Sequence, residues 1–266
     1  MDFETLRYEK ADGIATLTLN RPERHNAFNL IMAEELARAW QKIKADPEVV
    51  CVILTGAGPK AFCTGMDLAD VASGDAAETG RVSREDAPWF KLTAIQNRCW
   101  KPVITAVNGM VVGGGLHFIA DSDLILCSDT ASFFDTHVKV GLIAGLEPVG
   151  LTRRIPLESV LRMALLGGSE RMSAEQALAL GLVGEVVPAD QLMDRARELA
   201  LKIAQHSPTA LALTKRVIWE GLETGLDAAI DNAWNQINAH ADHPDLEEGA
   251  KAFVEKRAPR WKPYTG

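Results

Sequence analysis

Cysteine is scarce in this chain: four in 266 residues, at Cys51, Cys63, Cys99 and Cys127, with no CxxC pair among them. That spacing excludes a zinc ribbon and a thioredoxin-type redox motif, and it points to a reducing, cytoplasmic compartment. Positive charge is the minority sign, with 28 Lys+Arg against 36 Asp+Glu and a formal net charge of −8. An acidic balance argues against nucleic acid and an anionic membrane surface as partners, although a polyanionic small ligand needs only a local basic patch. Long apolar runs are missing as well. The opening MDFETLRYEK carries charges throughout and gives no sign of a secretory signal peptide. The most apolar region, 102–127, is interrupted by Asn108, three consecutive glycines, His117, Asp121 and Asp123, so it is no membrane span. Tandem repeats and low-complexity tracts are absent too. What is there, 47% hydrophobic and 24% charged residues, is an ordinary globular composition for one large domain, or one domain with a small appendage.

Strand and helix signals alternate through most of the chain. Ile14–Leu19 is rich in β-branched residues and alternates apolar with small or hydroxyl side chains, a strand pattern. Phe28, Ile31, Leu36, Trp40 and Ile43 follow at helical spacing, predicting a helix over 28–45 that Pro47 ends. Val49–Leu54, Val103–Val107 and Leu124–Cys127 are short, continuously apolar runs of the kind that form buried parallel strands. The intervals between them are long enough for crossovers. Residues 70–87 are small, polar and aperiodic, and read as a surface loop near a ligand mouth. A helix is expected from Pro88 to Trp100. After residue 170 helices take over. Ser173-Ala-Glu-Gln176 is a capping box with Gly181 as its stop, and helical runs follow at 190–205, 208–221, 225–240 and 245–257.

Two segments could carry chemistry. Asn108-Gly109-Met-Val-Val-Gly113-Gly114-Gly115 follows a buried strand and opens an apolar stretch of helical spacing. Glycines there let a ligand approach the backbone, and free N–H groups at a helix start suit an oxyanion or a phosphate. Tight strand–helix packing is the other reading of the same glycines. No GK[ST] follows, and the spacing is not that of a dinucleotide fingerprint. Ala61-Phe-Cys-Thr-Gly-Met-Asp-Leu68 likewise offers backbone N–H groups near a strand's C-terminal end, where open α/β sheets bind ligands. No metal-ligand spacing is present among the histidines.

Five blocks, in order along nearly the whole chain, resemble the enoyl-CoA hydratase/isomerase (crotonase) superfamily. They are Leu19–Ala27 (LNRPERHNA), Leu54–Leu68 (LTGAGPKAFCTGMDL), Lys101–Gly109 with Gly113–Gly115, Glu170–Val183, and the ending with Phe253, Lys256, Arg257, Pro259 and Trp261. The resemblance implies an α/β fold, a crotonase-like spiral of ββα units over residues 1–200. A C-terminal helical region, 201–266, would serve oligomerisation as a homotrimer or dimer of trimers, and CoA contacts. It implies an acyl-CoA thioester as substrate, with no permanently bound cofactor and no metal. It also implies an oxyanion hole made by the Met66 and Gly114 N–H groups, and CoA contacts at Arg24, His25, Ala27, Ala61 and Lys256. The reaction implied is water addition to a 2-enoyl-CoA. A thioester hydrolase, an isomerase, a C–C cleaving enzyme and a non-catalytic acyl-CoA-binding protein are alternatives on the same fold.

The chain departs from the hydratase pattern at the two catalytic carboxylates. His117 stands where that pattern reads Gly-Gly-Gly-x-Glu, and His137 takes the place of the second glutamate. Histidine can activate water or deliver a proton, because its reference pKa of about 6.5 lies near working pH. Each could instead be a hydrogen-bonded core or surface residue. Glu147 could orient a histidine, act as a base, or serve as a helix N-terminal acid before Pro148. Asp135 carries the same ambiguity, while Asp67 and Asp123 read as structural acids. Trp89, Phe90, Phe133 and Phe134 either line an acyl pocket or belong to the core. Apolar faces on the C-terminal helices (Leu211, Leu213, Val217, Ile218, Ala229, Ile230, Trp234, Ile237) bury either an interface or the domain's own core.

Overall fold

The computed structural model describes residues 3–69, 83 and 87–266, so most of the loop expected at 70–87 lies outside the described residues. Among the described residues, ten strands form two sheets. The larger has the strand order β1 (Leu6–Ala11), β2 (Ile14–Leu19), β3 (Cys51–Gly56), β5 (Val103–Val107), β7 (Leu124–Ser128) and β10 (Glu185–Val187). Only the β1–β2 pair in it is antiparallel. The smaller sheet has the order β4 (Ala61–Cys63), β6 (Met110–Val112), β8 (Ser132–Phe134) and β9 (Met172–Ser173). Each of β3, β5 and β7 runs through a short turn into a strand of the smaller sheet, so paired strands recur as a unit.

The apolar runs are continuous because both faces of the large sheet are covered, and side chains alternate between them. One set, Leu17, Leu19, Val52, Leu54, Val103 and Val107, packs with Met32, Leu36, Trp40 and Ile43 of helix α1 (Leu30–Ala45). The other set, Ile14, Cys51, Ile53, Ile104, Ala106 and Leu126, packs with Leu192, Ala196 and Ala200 of helix α6 (Leu192–Ala204). Burying side chains of this size contributes about 1.5–3 kcal/mol each. The Trp40 indole, fully buried, keeps its polar edge satisfied by donating to the Leu92 carbonyl at 2.8 Å. All four cysteines are buried free thiols, and burial pushes Cys51, Cys63 and Cys127 up to about 12.

Helix α1 starts two residues later than its apolar spacing implies. Phe28 is taken by a bridge to Met66, and Asn29 caps the helix by accepting from the Met32 N–H at 3.0 Å. The strand expected at 49–54 runs instead over Cys51–Gly56. The helix expected from Pro88 to Trp100 does not form. One 3-10 turn, Pro88–Phe90, is followed by irregular turns. The Asn97 amide donates to the Lys91 and Thr93 carbonyls, both at 2.8 Å, and Gln96 accepts from the Leu92 N–H at 2.8 Å. These local side-chain bonds replace helical ones, and Arg98 sits in the left-handed region at φ 51°. The Ser173–Gln176 capping box is formed with both of its bonds, at 3.2 and 2.9 Å.

Three helices close the chain: α7 (Pro208–Gly221), α8 (Leu226–Ala239) and α9 (Pro244–Glu255). Asp123, at the entry to β7, ties α7 to the sheet. It meets the Lys215 ammonium at 2.7 Å and accepts from the Trp219 indole N–H and the Val103 N–H, both at 2.7 Å. No helix among the described residues is long and apolar enough to cross a membrane.

Candidate active site

The two segments singled out for backbone donors lie against each other. Phe28 donates to the Gly65 carbonyl at 2.8 Å, and its own carbonyl accepts from the Asp67 N–H at 2.9 Å. In such a parallel bridge the intervening residue, Met66, turns its N–H away from the bridging strand. Gly114 is the second residue of the 3-10 turn Gly113–Gly115, which leaves its N–H without a partner in that turn. Gly65 brings the two together. Its φ is +83°, and a Cβ there would stand 2.7 Å from the Gly114 nitrogen and 3.0 Å from the Val112 carbonyl oxygen. The Phe28 ring packs over Gly114, with Trp89 next to it at 5.6 Å between ring centres. Among the described residues the buried Trp89 Nε1 has no hydrogen-bond partner. Phe133 belongs to the main core, and Phe134 is buried under the Arg171 guanidinium at 4.4 Å.

Both histidines are paired with carboxylates. His117 lies on the short buried helix α2 (Leu116–Ala120), which continues the glycine turn. Its Nε2 is 3.1 Å from Oε1 of Glu147, which sits in the first turn of α3 (Leu146–Leu151). The rest of each side chain is buried, at 7% and 5% exposure for the two residues. Burial works to raise the Glu147 carboxyl, but the His117 ring beside it holds it below the usual carboxylate range. The two readings of Glu147 thus coincide: it is a helix N-terminal acid that contacts a histidine.

His137 leaves β8 on a turn and leans on Asp135, which is fully buried. Asp135 accepts from the His137 N–H at 2.7 Å and lies 2.9 Å from its Nδ1. This contact raises the His137 imidazole above its ordinary value. The ring lies over Gly113, where φ is +51° and a Cβ would stand 3.4 Å from Cε1. His137 and Glu147 also feel each other's charge. The glycine turn therefore carries one carboxylate-paired histidine over its start and another just beyond its end.

The candidate CoA contacts divide. Arg24 and His25 are exposed on the turn after β2, and the His25 carbonyl accepts from the Thr64 hydroxyl at 3.3 Å. Ala27 and Ala61 are buried, and the Asn26 amide donates to the Ala61 carbonyl at 2.8 Å. These four stand beside the Gly65 cradle. Lys256 does not join them through any hydrogen bond or ion pair among the described residues; it is the exposed left-handed cap of α9. Arg21, in the first of the blocks that carry the resemblance, is used internally. Its guanidinium donates to the Ala27 carbonyl at 2.6 Å and pairs with Asp67 at 3.1 Å. It straps the first block to the segment that carries Met66. Arg257 is likewise held by Glu248 and Glu255, both at 2.6 Å. No group of three or more His, Cys, Asp or Glu side chains among the described residues is placed to hold a metal.

Stacked strand pairs feeding a backbone cradle define a crotonase-type enzyme. The comparisons with known proteins agree. A family model for enoyl-CoA hydratase/isomerase matches residues 9–263. The (E)-benzylidenesuccinyl-CoA hydratase of Thauera aromatica is 36% identical over 255 residues, covering 96% of this chain and 97% of that one. The carnitinyl-CoA dehydratase of Proteus mirabilis is 33% identical over 264 residues, covering 97% and 98%. The crystal structure of an enoyl-CoA hydratase/isomerase from Mycobacterium paratuberculosis superposes with a TM-score of 0.87 at 38% identity, covering 98% and 99%. This chain belongs to the enoyl-CoA hydratase/isomerase family of the crotonase superfamily. It is accordingly an acyl-CoA-processing enzyme of the hydratase type.

Proposed function

We propose that the protein adds water reversibly across the double bond of a 2-enoyl-CoA. The observation that carries this is the contact between Gly65 and Gly114, which sets the Met66 and Gly114 N–H groups on adjoining segments beside two histidine–carboxylate pairs. The thioester oxygen accepts from both N–H groups as negative charge moves onto it. Removing one such donor costs roughly 3–4 kcal/mol in comparable sites. His117, His137 and Glu147 handle the water and the proton. The CoA thioester is the substrate, with no resident cofactor, and Arg24, His25, Ala27, Ala61 and Lys256 contact its CoA portion.

The C-terminal region 201–266 closes an oligomer, a homotrimer or a dimer of trimers. Its exposed apolar residues support this: Leu226, Ile230, Trp234 and Ile237 on α8 are 57–75% exposed, and Phe253 of α9 is 86% exposed. A cytoplasmic location suits four buried thiols. The test is loss of the conjugated-thioester absorbance with crotonyl-CoA and with aryl-substituted 2-enoyl-CoAs, the latter because a relative is named for such a substrate. Saturable binding without turnover on enoyl-, 3-enoyl- and 3-oxoacyl-CoAs would favour a binding protein and sink the enzyme assignment. Release of free CoA thiol in place of hydration would favour a hydrolase.

A further inference from the structure

The Asp135–His137 contact does more than bury an acid. Asp135 approaches both the main chain and the ring of His137, at 2.7 and 2.9 Å, and is itself fully buried. A carboxylate accepts hydrogen bonds, so its contact with Nδ1 places the ring proton there. Among the described residues Nε2 has no hydrogen-bond partner, and the ring stands over Gly113, one residue before the Gly114 donor. His117 differs. Its Nε2 is the atom turned to Glu147, so this pair presents a carboxylate with a ring beside it.

We propose that Asp135 is a positioning residue that fixes the His137 ring over Gly113 with Nε2 free, so that His137 delivers the proton to Cα while the His117–Glu147 pair takes one from water. This rests on the hydratase reading above. The bond from the water oxygen to Cβ forms as the double-bond pair moves toward Cα and the thioester oxygen. One water proton passes to the His117–Glu147 pair, and the Nε2 proton of His137 passes to Cα. A proton exchanged through solvent then restores both pairs, and the net change is one water added.

The charged groups bearing on His137 are Asp135 from the end of β8 and Glu147 from α3, with His117 of α2 as the partner of Glu147. Lys139, on the turn that follows, is exposed, and the glycine turn offers no charge. Both acids favour the imidazolium, which is the form an acid catalyst needs.

The first experiment is ring ¹⁵N NMR on the histidine-labelled full-length protein, with His137→Gln supplying the assignment. Protonated Nδ1 in the neutral ring and a titration midpoint above 6.5, the ordinary value, are expected. Protonated Nε2 or a midpoint at or below 6.5 overturns the positioning role. The second is the pH profile of kcat for Asp135→Asn. An acid catalyst loses activity as pH rises through its pKa, so removing the carboxylate moves that alkaline limb down by about one unit. A fall in kcat of about 100-fold, with KM within a few-fold, accompanies it. A merely structural role lowers stability and leaves the limb in place, which overturns the assignment. Should Asp135→Asn fail to fold, the wild-type spectrum decides. Absent hydration by the wild type defeats the hydratase reading, whereas hydration with an unmoved limb defeats this assignment alone.

Discussion

Where the sequence resemblance places the hydratase glutamates, this chain reads His117 and His137, and Glu147 and Asp135 stand beside them. A glutamate must have its pKa raised before it can donate a proton at neutral pH, whereas an imidazole titrates near working pH and a neighbouring carboxylate tunes it to give or take one. His117→Ala and His137→Ala should each lower kcat by about 10²–10⁴-fold in the enoyl-CoA assay with the circular dichroism spectrum unchanged. Unchanged turnover in both would leave Glu147 as the remaining acid–base group. Glu147 gives a separate prediction. Its folded pKa lies below the unfolded carboxylate value of 4.5, so its stabilisation is present above that pH and is lost as pH falls through the folded value. Glu147→Gln should therefore flatten the acid limb of a urea-midpoint profile below about pH 4.5. Gly65→Ala combines a φ of +83° with a clash against the Gly114 nitrogen. Turnover should fall by about 10²-fold or more, while sedimentation still shows the assembled protein.

At the scale of the element, Lys101 shows how a motif residue can be structural. It is 2% exposed, and its ammonium donates to the Ile43 carbonyl at 2.8 Å and to that of Asp46 at 2.5 Å, at the C-terminal end of α1. Lys101→Met should reduce stability by about 1–3 kcal/mol in chemical unfolding, because it leaves buried carbonyls unpaired. Elements with a strong period were legible in the sequence: β2, β5 and α7 fall where the apolar spacing puts them. Strands of three residues such as β4, β6 and β8 were not, since three positions cannot establish an alternation. The 88–100 segment misled because Asn97 and Gln96 divert its backbone bonds. The site divides in the same way. Asp135 and His137 are near neighbours in sequence, so their pairing was within reach. His117 meets Glu147 only because α2 packs on α3, and nothing local announces that contact. The Arg21–Asp67 pair joins two segments far apart in sequence, and nothing local announces that contact either.

At the scale of the molecule, α8 buries no residue fully, and Leu226, Ile230, Trp234 and Ile237 recur along it with a helical period. Such a stripe in water is costly, and a neighbouring copy would cover it. If the proposed trimer or dimer of trimers forms through this stripe, Trp234→Asp should shift the sedimenting species toward the monomer. A monomeric wild type would instead assign these side chains no interface. The net charge of −8 is unevenly spread, with six acids and no Lys or Arg between residues 225 and 250. It therefore says little about the ligand-facing side. The cradle at Gly65 and Gly114 has a further consequence. Its donors belong to the main chain, and replacing the side chain at 117 or 137 cannot delete them. The proposed anion-holding groups and the proposed proton-moving groups can thus be altered separately. A change of the acid–base side chain at 117 or 137 therefore leaves the proposed hold on the thioester in place.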